Sequence, residues 1–315
     1  MAHKKMEQNI QHHHPANSSN SSQTTHKFEA WYNKRYKLLF FIPVILMLLS
    51  IIYLMYFNSV HGDFIFKDSS LAGGTTLTLN NIDTSAEALK SALREDFSDV
   101  SVREIRDLTS GRLIALVIDT TAQPDVVKAS TEEFLGFELN ESNSSVEFTG
   151  SSLSENFYSQ LIIAIIISFI LISLVVFFLF RKVVRSVAIV VAVFGNIIMP
   201  LALIDFLGIK LSAAGIAAFL MLIGYSVDAD ILLTSRVLKR NEGTINQRIF
   251  GAFKTGIFIT LVALLALLPA FFIVTGIPDS FRQIFLILSF GLVADIINTW
   301  LLNAAILKWY EERKK

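Results

Sequence analysis

Six stretches of this chain are long and apolar enough to cross a lipid bilayer, and no other feature restricts its fold as severely. The hydrocarbon core is about 30 Å thick, so a crossing helix needs about 20 apolar residues. Within that core every backbone N–H and C=O has to be bonded internally. Residues 38 to 57 (LLFFIPVILMLLSIIYLMYF) meet this without a charge. Residues 161 to 180 do so with Ser168 and Ser173 as their only polar side chains, and residues 187 to 204 with Asn196 and Pro200. A fourth stretch runs uncharged from Leu211 to Val227 and then takes Asp228 and Asp230 before Arg236. The fifth, residues 255 to 277, contains Pro269, and the sixth, residues 283 to 307, is interrupted by Asp295. Only 17% of the residues are charged, against about 25% in soluble domains. The chain reads as a polytopic α-helical membrane protein with helices at 35–57 and at about 157–180, 185–206, 211–235, 254–277 and 281–308.

Lys and Arg are enriched in short cytoplasmic segments, so their positions orient the spans. Lys34, Arg35 and Lys37 precede the first; Arg181, Lys182 and Arg185 join the second and third. Arg236, Lys239, Arg240, Arg248 and Lys254 join the fourth and fifth, and Lys308, Arg313, Lys314 and Lys315 follow the sixth. The opposite short loops hold only Lys210 and Arg282. This places both termini in the cytoplasm and residues 58 to 156 outside. Residues 1–34, rich in Asn, Ser, His and Gln, read as a disordered tail, and residues 309–315 as a short cytoplasmic end. The His12 to His14 tract has metal-binding side chains but matches the composition of the tail around it. The first span lacks a small-residue cleavage site and reads as an anchor. With no cysteine, disulfides, Cys-based zinc sites and thiol catalysis are excluded.

The outer segment is long enough to fold by itself. Thr75 to Leu79 alternates like a strand. Thr84 to Phe97 carries Ala86, Leu89, Leu93 and Phe97 at helical spacing behind a Thr84-to-Glu87 capping box. Val100 to Leu108 and Arg112 to Asp119 flank the turn signal Ser110-Gly111. Pro124 opens a helix to about Leu135, and Ser145 to Thr149 is a last strand. The order βαββαβ is that of the ferredoxin-like α+β arrangement. The formal net charge of zero is an average over unlike parts. Residues 58 to 156 hold 17 acids against 7 bases, a balance of minus ten, which leaves plus ten elsewhere. That sign pattern agrees with the orientation.

An ionisable group inside a span costs about 2.5 to 3.5 kcal/mol on insertion scales, so each is a candidate site. Asp295 falls near the middle of the sixth span. Asp228 shares a helical face with Gly224 and Met221, and Asp230 points about 200° away, so the two carboxylates do not share a partner on a regular helix. Ser226 and Thr234 lie four residues either side of Asp230, within reach of hydrogen bonding. Asp230 is also near enough to the basic end to be a wetted helix terminus. Asp295, with Asn298 and Asn303 nearby, is placed to bond across helices. Lys254, at the start of the fifth span, can reach either the headgroups or the carboxylates. Residues 213 to 218, rich in Ala and Gly, suit close helix packing. Gly195, Pro200, Gly256 and Pro269 suit kinks. Ile245, Ile249 and Phe253, four apart in the loop from Val237 to Phe253, suit an interfacial helix.

From about residue 35 to 310 the chain resembles the SecD/SecF family of the resistance-nodulation-division superfamily, most closely its archaeal SecF branch. Leu71-Ala72-Gly73-Gly74-Thr75 matches the family's Gly-Gly element after the first span. Gly224-Tyr225-Ser226-Val227-Asp228-Ala229-Asp230-Ile231-Leu232 matches its fourth-span motif, closed by Arg236. Asp228 stands where bacterial SecF has Asn, and Ala229 where it has Asp; Val227-Asp228-Ala229-Asp230 is closer to the Val-Asp-Ala-Asn element of SecD. Lys254 falls where bacterial SecF carries Arg. The resemblance implies a non-enzymatic subunit of protein export without a cofactor or a nucleic-acid partner. It implies SecD, a SecYEG-type channel, a translocating polypeptide and membrane lipids as partners, with proton coupling carried over to Asp228 and Lys254. Asp295 has no counterpart in the bacterial motif, and it joins Asp230 as an ion- or proton-coupling candidate because both are acids inside spans. Two rival readings are a small-molecule exporter of the same superfamily and an intramembrane aspartyl protease using Asp228 or Asp230 with Asp295.

Overall fold

A computed structural model of the protein describes residues 16–107, 110–238, 243–273 and 279–313. Helix α1 (Ala16–His61) begins inside the segment whose composition predicted a disordered tail, so residues 16 to 34 are helical; the His12 to His14 tract lies outside the described residues. Six helical segments among the described residues are long and apolar enough to span a membrane, at Ala30–His61, Ser151–Phe180, Val183–Phe206, Ala213–Leu238, Ile245–Ala270 and Arg282–Glu312.

After α1 come a single turn, α2 (Ser69–Ala72), then β1 (Gly74–Asn80), α3 (Ala86–Asp96), β2 (Ser101–Arg106), β3 (Leu113–Thr120), α4 (Pro124–Leu135) and β4 (Ser144–Thr149). The strands form one antiparallel sheet in the order β2-β3-β1-β4, with Leu77 opposite both Ile118 and Val146. Period-2 alternation puts Leu77, Leu79, Leu116 and Ile118 on one face, where they bury against Leu89 and Leu93 of α3 and Val127 of α4. Helix α3 starts one residue later than its capping box predicts: Ser85, not Thr84, accepts the Ala88 N–H at 3.2 Å. Pro124 at the first turn and Gly136 in the left-handed region after the last bound α4 as the sequence signals require.

The other sheet face carries Thr76, Thr78, Arg103, Asp119 and Glu147 and is the roof of a polar cleft of about 250 Å³. Its floor is Lys210, Ser212 and Gln283, at one end of the helical bundle. Two backbone bonds pin this sheet unit to the bundle, Leu211 N–H to Phe66 O at 2.6 Å and Asp68 N–H to Leu211 O at 3.0 Å. Burial pushes the Asp68 carboxyl above its usual range even as it caps α2 by accepting the Ser70 N–H. Gly73 and Gly74 serve the same junction. Both have positive φ (+82° and +129°), and a Cβ on Gly73 would overlap the Ser151 backbone, one on Gly74 the Thr120 carbonyl.

Helices α5 (Ser151–Phe180), α6 (Val183–Phe206), α7 (Ala213–Leu238), α8 (Ile245–Ile273) and α9 (Asp279–Ile297) follow, then a π-helical segment (Asn298–Asn303) and α10 (Ala304–Glu312). Helix α7 packs against α5, α6, α8 and α9 and is the centre of the bundle. Ile245 and Ile249 are not on an interfacial helix. They form the first turns of α8, buried with Leu233, Val237 and Leu307, because Arg248 and Arg236 tie α8 to α7 through Val237 O at 2.6 Å and Gly251 O at 2.9 Å.

Substituting Gly74→Ala forces a side chain into the Thr120 carbonyl at a φ that L-residues avoid, at a cost of about 1 to 3 kcal/mol. Hydrogen exchange should then quicken for the β1 and β3 amides while the α6 and α7 amides keep their protection; unchanged β1 protection would refute this role.

Candidate functional site

The acids expected inside the spans separate into two environments. Asp295 on α9 is fully buried, and its Oδ1 accepts three hydrogen bonds: from Asn196 Nδ2 of α6 at 2.8 Å, Ser226 Oγ of α7 at 2.7 Å and Thr299 Oγ1 at 3.2 Å. Asn196 Nδ2 also donates to Ser226 Oγ, at 2.5 Å, and Asn196 Oδ1 accepts from Asn298 Nδ2 at 2.7 Å. Asp230 on α7 is fully buried as well, with Oδ1 accepting from Asn303 Nδ2 at 2.7 Å. The two carboxylates are close enough to interact electrostatically. One polar network therefore joins α6, α7, α9 and the π-helical segment in the interior of the bundle.

This corrects two expectations. Asp230 is not a wetted helix end, because Asn303 and the packing of α7 enclose it. Neither Ser226 nor Thr234 bonds it: Ser226, one turn earlier on the same face, donates to Asp295 instead, and Thr234 Oγ1 is buried without a hydrogen-bond partner. Asp230 Oδ2, Asp295 Oδ2, Asn298 Oδ1 and Asn303 Oδ1 are likewise buried and unpartnered. Among the described residues no cation pairs with either carboxylate, so their charge is met by hydrogen-bond donors alone. In a low-dielectric interior such a centre is sensitive to any added or removed charge.

The π-helical segment brings these groups together. The Ala304 N–H bonds Thr299 O, five residues back, which is the wide-turn pattern. In a wider turn, positions four apart stay nearly in line instead of drifting round the helix, so Thr299 and Asn303 both face the acids. Two glycines admit the bulkier segment. A Cβ on Gly195 of α6 would come within 2.8 Å of the Asn298 amide, and one on Gly256 of α8 would overlap the Trp300 ring. Sequence reasoning read these glycines as kinks; their function is close approach. It also gave no role to Asn196 and Thr299. The signal was present in Asn196, the only amide in its span, and in the spacing of four from Asp295 to Thr299.

The remaining candidates stand outside the network. Asp228 is exposed on the surface of this chain, on one face of α7 with Met221 and Gly224, both exposed too. A Cβ on Gly224 would meet nothing within 4 Å, so the glycine answers to no packing within the chain. Tyr225 is half-buried with its hydroxyl enclosed. Lys254 is exposed and makes no ion pair with Asp228, Asp230 or Asp295.

A six-span helical bundle with an α+β unit between its first and second spans, and with acids bonded across its interior, defines a polytopic membrane protein built around a polar centre. Residues 129–313 match the family "Protein export membrane protein SecD/SecF, C-terminal". The chain is 38% identical to the protein-export membrane protein SecF of Methanocaldococcus jannaschii over 88% of its own length and 96% of the relative's. It is also 38% identical to the SecF of Methanothermobacter thermautotrophicus, over 89% and 94% of the two chains. The crystal structure of SecDF, a translocon-associated membrane protein of Thermus thermophilus, shares the fold at a TM-score of 0.69 and 17% identity; the match covers 89% of this chain and 38% of that longer one. The chain belongs to the SecD/SecF family.

Replacing Asp295 by Leu would strand the donors of Asn196, Ser226 and Thr299, each worth about 1 to 3 kcal/mol when buried unpaired. Asp295→Asn keeps an acceptor oxygen and should lose far less. Thermal unfolding in mild detergent should therefore rank the native chain above Asp295→Asn and both well above Asp295→Leu; equal midpoints for the two variants would contradict the network.

Proposed function

We propose that this chain is an accessory subunit of the Sec protein-translocation machinery. It works beside a SecD partner and a SecYEG-type channel to promote export of polypeptides across the cell membrane, and it is not an enzyme. The observation that carries the pairing is the open face of α7. Asp228 lies inside a candidate span yet is exposed on the isolated chain, where a lipid-facing charge would cost about 2.5 to 3.5 kcal/mol. Beside it Gly224 leaves room for the close approach of another helix. A second subunit covering Met221, Gly224 and Asp228 removes that cost.

In this reading the basic segments face the cytoplasm with both termini, and the acidic sheet unit stands outside. The order β4-β1-β3-β2 with α3 and α4 on one face supports a ferredoxin-like unit, whose polar face turns toward the bundle mouth. Asp230 and Asp295, with Asp228 at the subunit contact, are the groups through which ion or proton movement biases two arrangements of the bundle. The sheet unit follows because its anchor, Leu211, adjoins Ser212, which Gln283 of α9 holds. Family membership leaves the exporter and protease readings without support.

Gly224→Phe tests the pairing without disturbing the chain's own packing. The variant should purify with unchanged thermal stability and fail to recover the SecD partner in a mild-detergent pull-down; recovery at the unsubstituted level would overturn the assignment of this face.

A further inference from the structure

A second feature lies at the basic end of the bundle, away from the acid network. There α1 and α10 leave an apolar groove of about 380 Å³ walled by Phe40 and Phe41 on one side and by Ala305, Ile306 and Trp309 on the other. Two cations flank its mouth. Lys37 lines the groove one helical turn before Phe41, and the Arg313 guanidinium lies 4.3 Å over the Trp309 ring. Among the described residues neither has a carboxylate partner. The nearby Glu312 is already engaged by Lys308 at 2.7 Å, and Lys308 itself is buried and further held by Asn33 at 2.6 Å and Asn246 at 2.5 Å. That node ties α1 to α8 and α10, and α1 and α10 are the helices that wall the groove.

An apolar slot running along the span, closed at the interface by an aromatic ring and two uncompensated cations, is complementary to one class of molecule. We infer that the groove binds an anionic phospholipid, with the phosphate between Lys37 and Arg313 and one acyl chain along Phe40, Phe41 and Ile306. A juxtamembrane Lys or Arg contributes about fivefold in affinity toward an anionic surface, and the groove adds apolar burial that a flat basic patch lacks. Trp and Tyr at headgroup depth, here Trp309 and Tyr36, suit the same boundary. A zwitterionic lipid gains only the acyl contact, so the site discriminates by headgroup charge.

Trp309 reports on the groove directly. The full chain carrying Trp31→Phe and Trp300→Phe keeps Trp309 as its sole tryptophan. It would be reconstituted in phosphatidylcholine vesicles doped with tail-brominated phosphatidylglycerol or, separately, tail-brominated phosphatidylcholine. Brominated phosphatidylglycerol should quench Trp309 at lower mole fraction, and Lys37→Gln and Arg313→Gln should each cut that preference about fivefold. Native mass spectrometry of the chain with all three tryptophans should show retained phosphatidylglycerol that Lys37→Gln/Arg313→Gln loses. Equal quenching by the two lipids would overturn the inference. So would absence of quenching by both, the result expected if a protein segment fills the groove.

Discussion

The carboxylate of Asp295 is the point on which the bundle depends. In a bilayer apolar side chains gain nothing by leaving lipid for one another, so helices are held together by close packing and by polar groups bonded across them. Asp295 draws donors from three elements at once, Asn196 of α6, Ser226 of α7 and Thr299 of the π-helical segment. Several features that look unrelated in the sequence follow from accommodating it. The wide turn at Asn298–Asn303 aims Thr299 at Asp295 and Asn303 at Asp230. The small residues Gly195 and Gly256 let Asn298 and Trp300 enter.

The same helix that carries Asp295 also reaches the sheet unit. Asp295 and Gln283 are twelve residues apart on α9, about 18 Å along the axis. Gln283 accepts from Ser212 N–H at 2.7 Å and donates to Lys210 O at 2.6 Å, and the adjoining Leu211 is bonded on both sides to the segment entering β1. With Asp295 near one end of α9 and Gln283, which holds the sheet's anchor, near the other, this helix is the route by which the proposed change at Asp295 would reach the sheet unit. The half-buried Lys210 amine, whose pKa is lowered by desolvation, sits at this junction beneath the Arg103–Asp119 ion pair.

Much of this was legible in the sequence because the physics behind it is local. Apolar runs of membrane length, period-2 strands around Ser110-Gly111, and Pro124 at the start of α4 each follow from backbone and solvent requirements a few residues wide. That Asp295 would matter was also legible, since a charge in a span is costly wherever it points. Its partners were not. Whether Asp230 is wetted or enclosed depends on Asn303, seventy-three residues away, and the π-turn that brings Asn303 there has no signature in periodicity. Gly195 and Gly256 were misread for the same reason: a glycine in a helix looks alike whether it bends the helix or admits a neighbour. Residues 16 to 34 show the converse, polar composition predicting disorder where the helix of the first span continues.

The central proposal is that the Asp230–Asp295 network couples ion movement to work on exported chains. Its most direct test is export of a secreted reporter from cells carrying Asp295→Asn, measured with the membrane ion gradient intact and after an ionophore collapses it. The account predicts that export falls in the variant to the level the ionophore produces in unsubstituted cells, and that the ionophore then has no further effect. Export at the unsubstituted rate, with the same loss on collapse of the gradient, would contradict it.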